Sequence, residues 1–169
     1  GLFGVVGTLS DQPAVENQTF EFVTLKDVSI NSKTAIILAG LVGADTASAK
    51  KDGKTLNSNL TTNFNFNNIT IDGAITLLNS KDATISGIVC KLYTAGSVVI
   101  ENCTNNAKLT ALQSENYKGN NSVSHKGAGI AGYLKNNKSD TLTNCVNNGD
   151  IIINGYMYAG IYMYQLDDG

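Results

Sequence analysis

Arginine and tryptophan are absent from this chain, proline occurs once, at Pro13, and histidine once, at His125. Without arginine there is no planar fork to grip phosphate or guanine, and twelve lysines against fourteen acidic residues leave a net charge of -2. Nucleic-acid binding, which rests on a dense basic footprint, is therefore not expected. Long apolar runs are missing too. The longest, Thr34 to Gly43, falls far short of the roughly 18 residues of a membrane-spanning helix and is read as one buried strand. Cysteine is scarce and odd in number, at Cys90, Cys103 and Cys145. Three thiols and one imidazole do not make a zinc site, and they do not close a disulfide framework. No metal, cofactor or membrane span is expected.

Asparagine, serine, threonine and 17 glycines fill the polar positions. Asn and Gly accept left-handed corners and β-branched residues suit pleated surfaces, so this mixture favours strands joined by tight turns. Segments such as FEFVTLKDVSI, NFNFNNITI and SVVIENC alternate apolar and polar residues or run apolar over short lengths, then end in Asn, Gly or Lys. No segment shows a helical period.

Internal repetition is the strongest signal. One element reads LKDVSI from Leu25, FNNITI from Phe66, IENCTN from Ile100 and LTNCVN from Leu142. Its Asp or Asn falls at Asp27, Asn68, Asn102 and Asn144, at intervals of 41, 34 and 42 residues. A second, glycine-rich element interleaves with it: GVVG from Gly4, GLVG from Gly40, GIVC from Gly87, GIAG from Gly129 and AGIY from Ala159. The expected fold is all-β, a β-solenoid or parallel β-helix of degenerate repeats in one domain spanning residues 1–169. Its units fall near 1–36, 37–84, 85–126 and 127–157, with a partial unit at 158–169. Two elements per unit suggest two rungs of roughly 20 residues each. The polar stretches Ala44 to Thr62 and Gln113 to Lys126 read as loops protruding from the stack.

The stretch GIAGYLKNNKSDTLTNCVNNGDI, Gly129 to Ile151, resembles the GLUG-type repeats of bacterial and protist surface proteins and adhesins. The likeness is good for that unit, recognisable near Gly40 and Gly87, and loose toward the N-terminus. It implies a β-solenoid on a cell surface. It implies architecture and location more than chemistry.

Several residues carry competing readings. Asn68, Asn102 and Asn144 are expected to stack as a ladder at a left-handed corner. Asn68 and Asn102 also begin N-glycosylation sequons, with Asn17, Asn59, Asn120 and Asn137, and a glycosylated side chain would face solvent. The loop positions Asn59, Asn120 and Asn137 suit glycans best. Cys103 and Cys145 share a place in the repeat: on adjacent strands about 4.8 Å apart they could bond, but not with a rung between them. Buried free thiols are the preferred reading, for Cys90 as well. Tyr156, Tyr158, Tyr162 and Tyr164 share one face of an extended strand, covering the last rung or offering an assembly or ligand surface.

Catalysis is not expected. β-Helix enzymes that cleave acidic polysaccharides gather carboxylates with basic groups in one cleft, whereas here the carboxylates are scattered and His125 sits in the loop SVSHKG as a surface residue. The function read from the sequence is an extracellular or cell-surface structural or adhesive scaffold. Both ends stop within repeat elements, which suggests either a longer parent protein or end-to-end self-association, the strand Leu2 to Leu9 pairing with the Gly155 to Leu166 region of the next subunit. The alternative is a carbohydrate-binding or polysaccharide-cleaving β-helix, with cell-surface glycans as partners.

Overall fold

A computed structural model describes residues 1–6, 16–45, 50–51, 54–55, 61–79, 81–115, 123–135, 139–155 and 157–166. These residues form strands, turns and bends with no helix among them, and so none long and apolar enough to cross a membrane. The fold is all-β with parallel sheets.

Three parallel sheets carry the chain. The first is built on Asn17–Ser32 and Asn63–Asn79. Beside Asn63–Asn79 lies the interrupted run Ser97–Glu101, Thr104–Asn105 and Lys108–Gln113, followed by Ser139–Thr143, Val146–Asn147 and Ile151–Ile153. The second aligns Ile37–Ala39, Thr84–Ser86, Lys126–Ala128 and Met157–Ala159. The third aligns Phe3–Val6, Val42–Asp45, Val89–Leu92, Ala131–Lys135 and Tyr162–Leu166. An antiparallel pair, Lys50–Lys51 with Lys54–Thr55, interrupts the stretch read as a loop. At the other such stretch Lys108–Gln113 and Lys126–Ala128 extend the strands to its two ends.

Each repeat unit visits the first, second and third sheets once before the chain returns to the first. The expectation of two rungs per unit is thus corrected. Val98 pairs with Asp140, 42 residues on, so the two sequence elements lie in different sheets of one circuit and never pair with each other. The run Thr34 to Gly43 is likewise two short strands, Ile37–Ala39 and Val42–Asp45, bent at Gly40 and Leu41.

The register shows why the first sheet bends. Along Asn63–Asn79 the buried side chains are Phe64 and Phe66, then Ile69 and Ile71, so the inward parity switches between positions 66 and 69. Asn68 makes that switch, at φ 54°. Asn102 and Asn144 stand at φ 53° and 52°, a left-handed conformation that Asn tolerates because its short amide can bond locally.

The same register corrects the alignment of the first unit. Phe20 pairs with Phe66, Val23 with Ile69 and Leu25 with Ile71. FEFVTL, not LKDVSI, is therefore the counterpart of FNNITI. Phe22, not Asp27, stands in line with Asn68, at φ 54°. Inward packing decides the register, and the bulge between Leu25 and Val28 places Asp27 at a second corner, φ 53°.

Glycine is required where the second sheet turns into the third. Gly40 N–H donates to the Gly87 carbonyl at 2.9 Å, and Gly87 N–H to that of Gly129 at 3.1 Å. A Cβ on Gly87 would strike the Gly129 carbonyl and lie 2.5 Å from Asn105 Cγ, and one on Gly129 would strike the Gly160 carbonyl and Asn147. The glycine column thus faces the column Leu25, Ile71, Asn105, Asn147 of the first sheet. Behind it, Leu41, Ile88 and Ile130 are fully buried. The two repeated elements recur together because they meet across the core. Phe20 stacks on Phe66 at 5.0 Å, extending an apolar column through Ile100 and Leu142.

Candidate functional site

Successive circuits stack like on like, so the conspicuous side chains form columns. Along the outer corner, Asn144 Nδ2 donates to Asn102 Oδ1 at 3.2 Å, while Asn102 Nδ2 donates to Asn67 Oδ1 at 3.0 Å rather than to Asn68. Asn68, Asn102 and Asn144 are exposed. For Asn102, ladder bonding and solvent exposure, set against each other in the sequence reading, coexist because the corner points outward, and Asn144 combines the two in the same way. Asn17 is also exposed and accepts a hydrogen bond from Asn63. Asn59, Asn120 and Asn137 lie outside the described residues.

A second column runs inside, and the sequence reading missed it. Asn105 is fully buried. Its Nδ2 donates to the Ala107 carbonyl at 3.1 Å and to Asn147 Oδ1 at 2.8 Å, and its Oδ1 accepts from Ala107 N–H at 3.2 Å. Asn147 repeats the motif on Gly149 at 2.9 Å. The carboxamide holds the backbone turn from within, so the buried amide is satisfied rather than costly. The signal lay in the final Asn of IENCTN and LTNCVN, where the earlier unit has Ile71.

The cysteines divide. Cys90 is fully buried, and desolvation pushes its thiol up to about 12. Cys103 and Cys145 are neighbours, since one circuit separates them and Val146 N–H donates to the Cys103 carbonyl at 2.9 Å. All three are free thiols. Cys103 is buried and keeps its proton through its hydrogen bond with Cys145, reinforced by burial. Half-buried Cys145, receiving that hydrogen bond, is lowered to about 7.

His125 is buried, not exposed as its polar loop suggested. The segment lies in register on the preceding circuit: Lys126 N–H donates to the Ala83 carbonyl and Ser124 N–H to Asp82 Oδ1. Val123 and His125 therefore turn inward while Ser124 and Lys126 do not. Neither ring nitrogen of His125 has a hydrogen-bond partner among the described residues. No three His, Cys, Asp or Glu residues gather at a metal-binding spacing among the described residues.

The tyrosines do not form one strand face. The strand breaks at Gly160: Tyr158 pairs with Gly127 in the second sheet and Tyr162 with Ala131 in the third. Tyr158 is 65% exposed, whereas Tyr162 packs against the core. Tyr164 pairs with Tyr133, and Tyr156 lies outside the described residues.

One concavity gathers polar groups. A cavity of about 160 Å³ is lined by Asp82, Thr84, Lys91, Ser124, Lys126 and Tyr133, together with Ile36 and Ala83. Lys91 Nζ and Lys126 Nζ lie 5.3 and 5.7 Å from the centre of the Tyr133 ring, within cation–π range. Asp82 is engaged by Ser124 N–H at 2.8 Å. Two ammonium groups, an aromatic ring and two hydroxyls suit a polar or anionic ligand better than an apolar one. No pair of carboxylates flanks the space as glycoside hydrolysis requires.

No family model matches the chain, and neither a curated protein nor a solved structure matches it.

Proposed function

We propose that this chain is a β-solenoid that acts as an extracellular or cell-surface structural or adhesive scaffold, extended by strand pairing at the ends of its stack. The observation that carries the reading is the register: four units in succession lay the same positions side by side in parallel sheets. Such a stack buries each unit only against its neighbours, which suits a rod-like spacer and is easily lengthened. The resemblance to GLUG-type surface repeats points the same way. The strand Asn17–Ser32 and the run Ser139–Ile153 each pair on one side among the described residues, and both bring half-buried apolar groups, Phe20 and Val23 on one, Leu142 and Ile151 on the other. A further strand on either edge would satisfy the backbone and cover those groups together. A head-to-tail contact of this kind is open-ended and leads to filaments.

Negative-stain electron microscopy and sedimentation of the purified chain test the reading. End-joined rods that Ile151→Asp or Val23→Asp abolishes support it; a monomer at high concentration contradicts self-association.

A carbohydrate-binding role is the second reading, favoured by the cavity around Tyr133. Saccharide-array binding lost in Lys126→Glu would support it. Neither reading involves a catalytic step.

A further inference from the structure

We infer that Cys103 and Cys145 form a dithiol site that closes to an intramolecular disulfide across two neighbouring circuits. The two residues hold the same position on adjacent parallel strands, fixed by Asn102 N–H on the Thr143 carbonyl at 3.0 Å before them and Val146 N–H on the Cys103 carbonyl at 2.9 Å after them. Strands so paired lie about 4.8 Å apart, inside the Cα separation a disulfide accepts. Both belong to one inward column, continuing Val23 and Ile69, and both thiols reach equivalent carbonyls, Cys103 Sγ donating to Glu101 at 3.1 Å and Phe66 at 3.6 Å, Cys145 Sγ to Thr143 at 3.5 Å and Ile100 at 3.4 Å.

Their unequal burial sets the order of events. Cys145 is half-buried and Cys103 fully so, so an oxidant meets Cys145 first. With a low-molecular-weight disulfide as oxidant, the Cys145 thiolate attacks one sulfur, forming a mixed disulfide and releasing one thiolate. Cys103 then attacks the Cys145 sulfur, its S–S bond to the small group breaks, and the Cys103 proton leaves with the second small thiol. Two protein thiols are oxidised and one small disulfide is reduced to two thiols. The preference of Cys145 for the thiolate and of Cys103 for the thiol fits these attacking and resolving roles. Cys90 has no part, being fully buried on the strand Val89–Leu92 of the third sheet.

The bond would tie together the circuits carrying residues 103 and 145, a covalent staple along the stack where neighbours otherwise meet only through non-covalent contacts. The experiment treats the native full chain with oxidised glutathione, blocks remaining thiols with an alkylating agent under denaturing conditions, and maps peptides without reduction. The expected result is a Cys103–Cys145 cross-linked peptide with Cys90 alkylated, lost in Cys145→Ser and retained in Cys90→Ser. Three alkylatable thiols after oxidation, a persistent glutathione adduct on Cys145, or a dimer linked through Cys145 would each overturn the inference.

Discussion

Replacing Asn105 by Ala probes the inner column most sharply. The side chain is fully buried and makes three hydrogen bonds: two donated by Nδ2, to the Ala107 carbonyl and Asn147 Oδ1, and one accepted by Oδ1 from Ala107 N–H. Each is worth about 0.5–1.5 kcal/mol net, and stranding a buried N–H costs about 1–3 kcal/mol more. Three bonds and one stranded donor together come to about 2.5–7.5 kcal/mol, reaching the severe end for one substitution. Asn148→Ala is the internal control. Its amide donates to Asn106 Oδ1 at 2.9 Å in the same pair of circuits, but at the exposed face, where water replaces the lost partner and about 0.5 kcal/mol is expected. Denaturant unfolding followed by far-UV circular dichroism compares the two, and hydrogen exchange at the Ala107 amide reports the turn directly. A loss below about 1 kcal/mol for Asn105→Ala, or one equal to that of Asn148→Ala, would refute the claim that the buried carboxamide holds the turn.

Glycine substitutions should sort by column position. Gly129→Ala drives its Cβ into the Gly160 carbonyl and Asn147 and should prevent a folded melting transition, whereas Gly160→Ala, with nothing within 4 Å of its Cβ, should stay within about 0.5 kcal/mol of the parent. Phe22 holds a left-handed backbone at 76% exposure, a conformation that costs an L-residue roughly 1–2 kcal/mol. Phe22→Asn should therefore stabilise by about 1 kcal/mol, read as a raised melting temperature, and a lowered one would show that the ring has packing worth more than the strain. Cys90 retains its proton to about pH 12 when folded, against 9.0 unfolded. The unfolded chain thus binds fewer protons above pH 9, so this contribution is complete below pH 9 and declines as pH climbs toward 12. Subtracting the stability curve of Cys90→Ala should isolate that slope; a flat difference contradicts it.

Much of the fold was legible because its causes are local. Alternation in NFNFNNITI marks a half-buried strand, and Asn and Gly mark corners with positive φ or close backbone approach. What escaped depends on which circuit lies alongside. Asp27 looked like Asn68 because both are corner-forming residues, yet Phe20, Val23 and Leu25 supply the apolar register that pairs with Phe66, Ile69 and Ile71. Core packing outweighed the cost of a left-handed Phe22. His125 read as a surface residue from its polar neighbours, but pairing onto Ala83 turns it inward. The candidate site was less legible. Lys91, Lys126 and Tyr133 converge from two sheets, and no spacing announces that. The Asn105 and Asn147 pair shows up only when the circuit length is known.

The most direct test of the account is a distance along the stack. Asn31, Thr76, Thr110 and Ile152 form one column of the first sheet, each paired with the next. With one circuit per repeat, Asn31 and Ile152 are three strand spacings apart, about 14 Å between backbones. Two rungs per repeat would roughly double that separation. Spin labels on Asn31→Cys and Ile152→Cys, in a Cys145→Ser background, read the difference by dipolar broadening. A strongly broadened spectrum at about 14 Å is predicted, and a separation near 30 Å would contradict the one-circuit stack on which the proposed scaffold rests.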